Sequence, residues 1–180
     1  MDAHADTMGT TAAERHAQFH ALLEAHRRIV FKVAGTYARH PDDRADLAQE
    51  IAAQLWRAFP GYDPDRSFST WMYRIALNVA ISHVRSQGLR RGLVEPLDEA
   101  HEAVAGDDGP EHETNEAQRV LQRLNAALEP LDRALLVLYL DERPQREIAE
   151  VLGISETNVA TKIGRLKQRL RQQAADATQP

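Results

Sequence analysis

The residues best suited to chemistry lie between Gln145 and Gly164, and the chemistry is recognition rather than bond making. Ala149 supplies the small side chain that two steeply crossing helices need where they meet. Gly153 supplies the positive φ of a tight turn. Ser155 can cap the next helix by accepting from its first amides. Ile148, Val151, Leu152, Ile154, Val159, Ile163 and Leu166 fall at inward offsets. That leaves Glu156, Thr157, Asn158, Thr161, Lys162 and Arg165 outward, as groups that can reach base edges and phosphates in a major groove. Lys167, Arg169 and Arg171 extend the positive charge along the last turns. These offsets describe a helix-turn-helix and do not by themselves distinguish one class of DNA-binding protein from another.

Other chemistry is thinly represented. His16 and His20 have metal-ligand spacing on a helix but no companion third ligand. His101 and His112 sit among acids. The chain has no Cys, which excludes disulfide scaffolds and thiolate sites. No glycine-rich phosphate loop and no nucleophile–base pairing stands out. An enzyme, a metal and a cofactor are therefore not expected.

The elements that position these groups are all helical. Phe19, Leu22, Leu23, His26, Ile29, Val33 and Tyr37 recur at helical steps until His40-Pro41. Asp42, Asp43 and Asp46 open a second helix, with Leu47, Ile51, Leu55 and Trp56 as its apolar stripe. It ends at Pro60-Gly61, and a turn-rich loop runs to Ser67. A third helix follows through Phe68, Trp71, Met72, Ile75, Val79 and Val84. Beyond residue 118, helices are expected over Val120–Leu128, Leu131–Leu140, Gln145–Leu152 and Glu156 to about Arg171. No strand-like alternation appears. The expected fold is all-α, with two small helical domains.

Charge divides the chain in the same way. Its net charge is −5 over 180 residues, an unpromising average for a nucleic-acid binder. The average misleads. Residues 15–91 carry +5 and residues 119–180 carry +2, while residues 92–118 hold nine carboxylates and no Lys or Arg. That segment also holds Pro96, Gly106, Gly109 and Pro110, and reads as an acidic flexible linker. The expected organisation is a disordered tail (1–14), a first domain (15–91), the linker (92–118), a helix-turn-helix domain (119–172) and a short tail (173–180). The longest apolar run, Ala134–Leu140, is seven residues, so no membrane insertion is expected. No export signal layout opens the chain, and no further domain is expected after Pro180.

Two motifs then carry a resemblance. The run Asp46-Leu47-Ala48-Gln49-Glu50, with Trp56-Arg57-Ala58-Phe59 and Ser67-Phe68-Ser69-Thr70-Trp71-Met72-Tyr73-Arg74-Ile75-Ala76-Leu77-Asn78, closely resembles the second region of bacterial extracytoplasmic-function (ECF, group IV) sigma factors. Gln145 to Ser155 resembles their fourth region. The resemblance spans about residues 18–92 and 118–172. It implies a dissociable, non-catalytic, cytoplasmic subunit that binds RNA polymerase core, recognises promoter DNA and helps open it. It also implies control by an anti-sigma factor.

Residue by residue, the resemblance places Asp46, Leu47, Gln49 and Glu50 in polymerase docking. Tyr62, Asp63, Arg66 and Ser67 fall in the loop that pockets a flipped minus-ten base. Arg74 and Asn78 follow on the next helix, and Arg85, Arg90 and Arg91 reach duplex phosphates. Phe68 and Trp71 are read as core rather than stacking platforms. Glu156, Thr157, Asn158, Thr161, Lys162, Arg165, Lys167 and Arg169 would meet the minus-thirty-five element. Here the chain departs from the family's common Gly-Thr-Val-Lys-Ser-Arg run. It reads Thr157-Asn158-Val159-Ala160-Thr161-Lys162, which leaves the base preference open. The linker would thread polymerase channels as an acidic mimic of nucleic acid. A compact, self-inhibited or partner-held state is expected, and the alternative is a stand-alone helix-turn-helix regulator.

Overall fold

The computed structural model describes residues 11–93 and 128–177, with side chains for 11–87 and 128–172. Helix α1 (Ala12–Tyr37) opens on a capping box. Thr11 Oγ1 accepts from the Glu14 amide at 3.2 Å, and the Glu14 carboxylate accepts from the Thr11 amide at 2.7 Å. The ordered first domain therefore begins before the expected boundary at residue 15, because these two orphan amides find side-chain partners. Helix α2 (Pro41–Ala58) has Pro at its first position and Asp42 and Asp43 in its first turn. A 3-10 turn (Phe59–Gly61) closes it. Helix α3 (Phe68–Leu93) runs two residues past the expected domain edge at residue 91.

These three helices pack pairwise. Val33 and Ala34 of α1, Leu47, Ile51 and Leu55 of α2, and Met72, Ala76 and Ala80 of α3 have no exposed surface. Alanines at steps of four on α3 let the helices approach closely while the larger residues interlock. Trp56, expected on the buried stripe of α2, is 39% exposed. Its ring leans on Phe19 at 5.1 Å, at the rim of the core.

The second domain is α4 (Pro130–Leu140), α5 (Gln145–Leu152) and α6 (Glu156–Ala177). Leu135 and Leu138 of α4 meet Ile148 of α5 and Val159 of α6, all fully buried or nearly so. Of the helix expected over 120–128, residues 120–127 lie outside the described residues, as do the linker from residue 94 on and both of its histidines. α6 continues to Ala177, beyond the expected edge at 172. No strand occurs among the described residues, as expected for an all-α fold.

The two domains touch. α4 packs on α1 and α3, and α5 packs on α3. One continuous cluster of buried apolar side chains runs through both.

Candidate nucleic-acid and polymerase interface

The first domain builds its loop from residue 59 onwards. Phe59 is buried, and Tyr62 stacks nearly parallel to it with centroids 5.9 Å apart. Phe68 and Trp71 meet Tyr62 at 5.2 and 5.1 Å. The Tyr62 hydroxyl donates to the Arg66 carbonyl at 2.7 Å, which ties the loop shut. Asp63 turns the chain by accepting from the Asp65 amide at 3.0 Å. Ser67 caps α3: its Oγ accepts from the Thr70 amide at 3.4 Å and shares a hydrogen bond with Ser69 at 3.0 Å. The Ser67 hydroxyl is thus committed to the fold. Phe68 is buried and Trp71 half-buried, so both belong mainly to the core, as read from spacing.

Arg74, Asn78 and Arg85 are exposed and separated by four and seven residues, which aligns them on one stripe of α3. Arg90 and Arg91 continue the same helix, but their side chains are outside the described residues. This combination of an aromatic loop, an amide and a line of cations suits an unstacked strand and its phosphates.

The expected docking helix divides by face. Asp46, Gln49 and Glu50 are exposed, whereas Leu47 is fully buried. Leu47 is therefore corrected from a contact residue to a core residue: the α-helical period turns it toward α1 and α3 when its neighbours point out. The Glu50 carboxylate lies 3.4 Å from His83 Nδ1 of α3. His16 makes an edge contact with Trp56 at 5.4 Å. Among the described residues no group of three or more His, Asp or Glu is arranged to hold a metal.

The helix-turn-helix follows its sequence signals closely. Gly153 closes α5 at φ 67°, with the Ile154 amide donating to the Ala149 carbonyl at 3.1 Å. Ser155 accepts from the Asn158 amide at 3.2 Å. Val159, Ile163 and Leu166 are buried, and Leu152 and Ile154 are half-buried. Glu156, Thr157, Asn158, Thr161 and Arg165 are exposed. The Thr161 hydroxyl donates to the Thr157 carbonyl at 2.9 Å. Ala160, Gly164 and Gln168 share this surface and were not singled out from sequence, because a small or neutral residue carries no charge signal.

Three of the expected cations are turned elsewhere. Lys162 Nζ lies 3.9 Å from Asp132 and Arg169 Nη1 3.4 Å from it. Lys167 Nζ sits 4.8 Å over the Tyr139 ring. All three lean on α4. Asp132 and Tyr139 escaped sequence reading because their partners lie about 30 residues away along the chain.

Comparison with known proteins agrees with both halves. Residues 22–90 match the family model "Sigma-70 region 2" and residues 118–170 match "Sigma-70, region 4". The chain is 32% identical over 168 residues to the RNA polymerase sigma factor CnrH of Cupriavidus metallidurans, covering 88% of this chain and 87% of that one. It is 28% identical to the ECF RNA polymerase sigma factor SigW of Bacillus subtilis, covering 88% and 89%. A solved structure of CnrH in complex with the cytosolic domain of CnrY superimposes with a TM-score of 0.64 at 24% identity, covering 91% of each chain. A second, of the sigma factor RpoE with the anti-sigma factor NepR from Bartonella quintana, gives 0.60 at 18% identity, covering 87% and 94%. The fold is therefore that of a two-domain sigma factor, and the chain belongs to the sigma-70 family as an ECF RNA polymerase sigma factor. By that membership it is a transcription initiation factor and not an enzyme. No helix among the described residues is long and apolar enough to cross a membrane.

Proposed function

We propose that this group IV sigma factor works in the cytoplasm and docks on polymerase core through the exposed face of α2, with Asp46, Gln49 and Glu50 as the polar contacts. The loop of Tyr62, Asp63 and Arg66 holds a flipped minus-ten base against the aromatic cluster. Arg74, Asn78 and Arg85, with Arg90 and Arg91 beyond, track the strand and the adjoining duplex. α6 enters the minus-thirty-five major groove with Thr157, Asn158, Thr161 and Arg165 leading. Glu156 lies at the same helix end, where its carboxylate can accept from a cytosine amine. Lys162, Lys167 and Arg169 act from the flank once their partners on α4 yield them to phosphates. The two working domains are α1 to α3 and the helix-turn-helix domain that ends with α6 at Ala177, joined by the acidic segment that runs to residue 118.

The observation that carries this reading is the alignment of Arg74, Asn78 and Arg85 beside the aromatic loop. A stand-alone helix-turn-helix regulator has no use for such a surface. Flipping a base costs a few kcal/mol, which stacking and amide contacts can offset. Control by an anti-sigma factor is supported by the two similar solved structures, in which CnrH is bound to CnrY and RpoE to NepR.

The test is co-elution of the pure chain with core polymerase, followed by run-off transcription. Asn78→Ala should lower promoter opening by about 1–3 kcal/mol while leaving core binding intact. A chain that binds duplex DNA as a dimer and never binds core would replace this reading with the stand-alone regulator.

A further inference from the structure

The three polar side chains on the outer face of α2 are not held alike. Asp46, Gln49 and Glu50 are all exposed. Among the described residues, Glu50 is the one that α3 reaches. His83 Nδ1 lies 3.4 Å from Glu50 Oε2, with 51% of the Glu50 side chain exposed and 19% of the His83 side chain.

The fold explains that reach. α2 packs on α3. The buried residues of α3 run as far as Ala80, and from Ile81 to Gln87 every side chain is half-buried or exposed. His83 therefore stands one turn beyond the core, where the contact between the two helices opens to solvent. Its ring is anchored from its own helix: Gln87 Nε2 lies 2.9 Å from His83 Nε2. A spacing of four residues puts the two side chains on one stripe. An amide nitrogen can only donate, so His83 Nε2 accepts. The neutral ring then carries its proton on Nδ1, the nitrogen that faces Glu50. Gln87 thus sets the ring from one side, and the ring offers the carboxylate a donor on the other.

Neither the DNA-reading stripe nor the second domain takes part. His83 is two residues before Arg85, which places it about 160° away around α3. Both of its polar partners belong to the first domain. The contact has a use at the surface. A glutamate on an exposed helix face turns freely about its side-chain bonds, and fixing it against a partner costs entropy. A neighbour that restrains it beforehand lowers that cost at docking. At 3.4 Å the restraint is loose, so Glu50 is oriented without being consumed. A lysine in this place would carry a permanent charge and compete with the partner's cations for the carboxylate.

We propose that His83 is a positioning residue for polymerase docking: it holds Glu50 on the outer face of α2 in the orientation that core binds, with Gln87 fixing the ring. The proposal rests on the docking role given to Glu50 above and adds a residue to it from a different helix.

Titration of the labelled full chain with purified core polymerase tests it. Glu50→Ala should weaken core binding. His83→Phe keeps a ring and removes both nitrogens; His83→Ala removes the ring altogether. Each should weaken core binding by about two- to tenfold, the range expected for one side chain left to be ordered at docking. In the Glu50→Ala background, His83→Phe should add nothing, because its effect passes through the carboxylate. His83→Asn places an amide donor close to the position of Nδ1 and should stay within about twofold of wild type. Helical circular dichroism and thermal melting check that each variant is folded.

Losses that multiply in the double variant would overturn the positioning role, since His83 would then act without Glu50. So would full core affinity in both His83→Phe and His83→Ala while Glu50→Ala is impaired; that result leaves Glu50 as a docking residue. A His83→Asn variant as weak as His83→Phe would show that the donor toward Glu50 is not what matters. Unchanged core binding in Glu50→Ala would overturn the docking role of Glu50 itself, and the role of His83 with it.

Discussion

Thr70 Oγ1 is buried without a hydrogen-bond partner, one turn into α3. A buried hydroxyl left unsatisfied costs more than an apolar group of the same shape. Thr70→Val keeps the β-branch and removes that cost, so chemical denaturation should show a gain of about 1 kcal/mol. Gly153 gives the opposite case. A Cβ there would meet nothing within 4 Å, so space is not the constraint. The constraint is φ 67°, and Gly153→Ala should lower stability by about 1–2 kcal/mol. Glu142 adopts the same backbone region without the freedom of glycine. Glu142→Gly should therefore shift the denaturation midpoint upward, unless the glycine's extra unfolded-state entropy cancels the relief.

At the scale of an element, α6 separates its charges between two faces. Arg165 points outward, while Lys162 and Arg169 share Asp132. Each cation that neutralises a phosphate contributes about 0.9 to the slope of log affinity against log salt. Arg165→Ala should flatten that slope by about one unit, measured on duplex DNA over a salt series. Asp132→Ala should raise affinity and leave the slope nearly unchanged, since Lys162 and Arg169 pass from Asp132 to phosphates on binding in the wild type as well. A slope steeper by about two units would show that Asp132 keeps both cations in the bound state.

Most of this element was legible in the sequence. Gly153, Ser155 and the apolar offsets each act within a few residues, and local rules suffice for them. The capping box of α1 was equally legible, as Thr11 and Glu14 stand at the right spacing, but the acids at the chain start drew the reading toward a tail. Leu47 was misplaced for a related reason. The helical period places it on the apolar stripe with Ile51 and Leu55, while the family motif sets it among polar contacts, and its burial decides for the stripe. Asp132, Tyr139 and Asp141 were illegible in a stricter sense. Their roles depend on side chains 28 to 109 residues distant, a relation that neither periodicity nor composition encodes.

At the scale of the whole molecule, the charge map acquires a direction. Both domains are basic, yet they close because the second offers Asp141 and Glu150 to Lys32 and Arg66. Burial raises the Asp141 carboxyl. The hydrogen bonds from Lys32 and Tyr73 and the charges of Lys32 and Arg143 outweigh it and hold the group below its ordinary value of 3.8. Its contribution is thus complete above that value and lost only as pH falls through the depressed one. Burial, then the Asp141 carboxylate, push the Tyr73 hydroxyl far upward, so it remains a donor. Neither group changes charge between roughly pH 6 and 9. The Asp141–Tyr73 contact should accordingly give the same scattering profile across that range, whereas added salt should expand the chain. Expansion on mild acidification alone would point to a different titrating group.

The open face of α2 also bears on supply. Asp46, Gln49 and Glu50 stand exposed, so every molecule offers the same surface. A partner that needed a rare conformation would see its apparent affinity divided by the fraction of molecules that adopt it. The α2 face carries no such discount. Core polymerase would then draw on the entire pool, in proportion to how much of the protein the cell holds. A surplus could accumulate as a reserve that polymerase counts in full from the moment it is made.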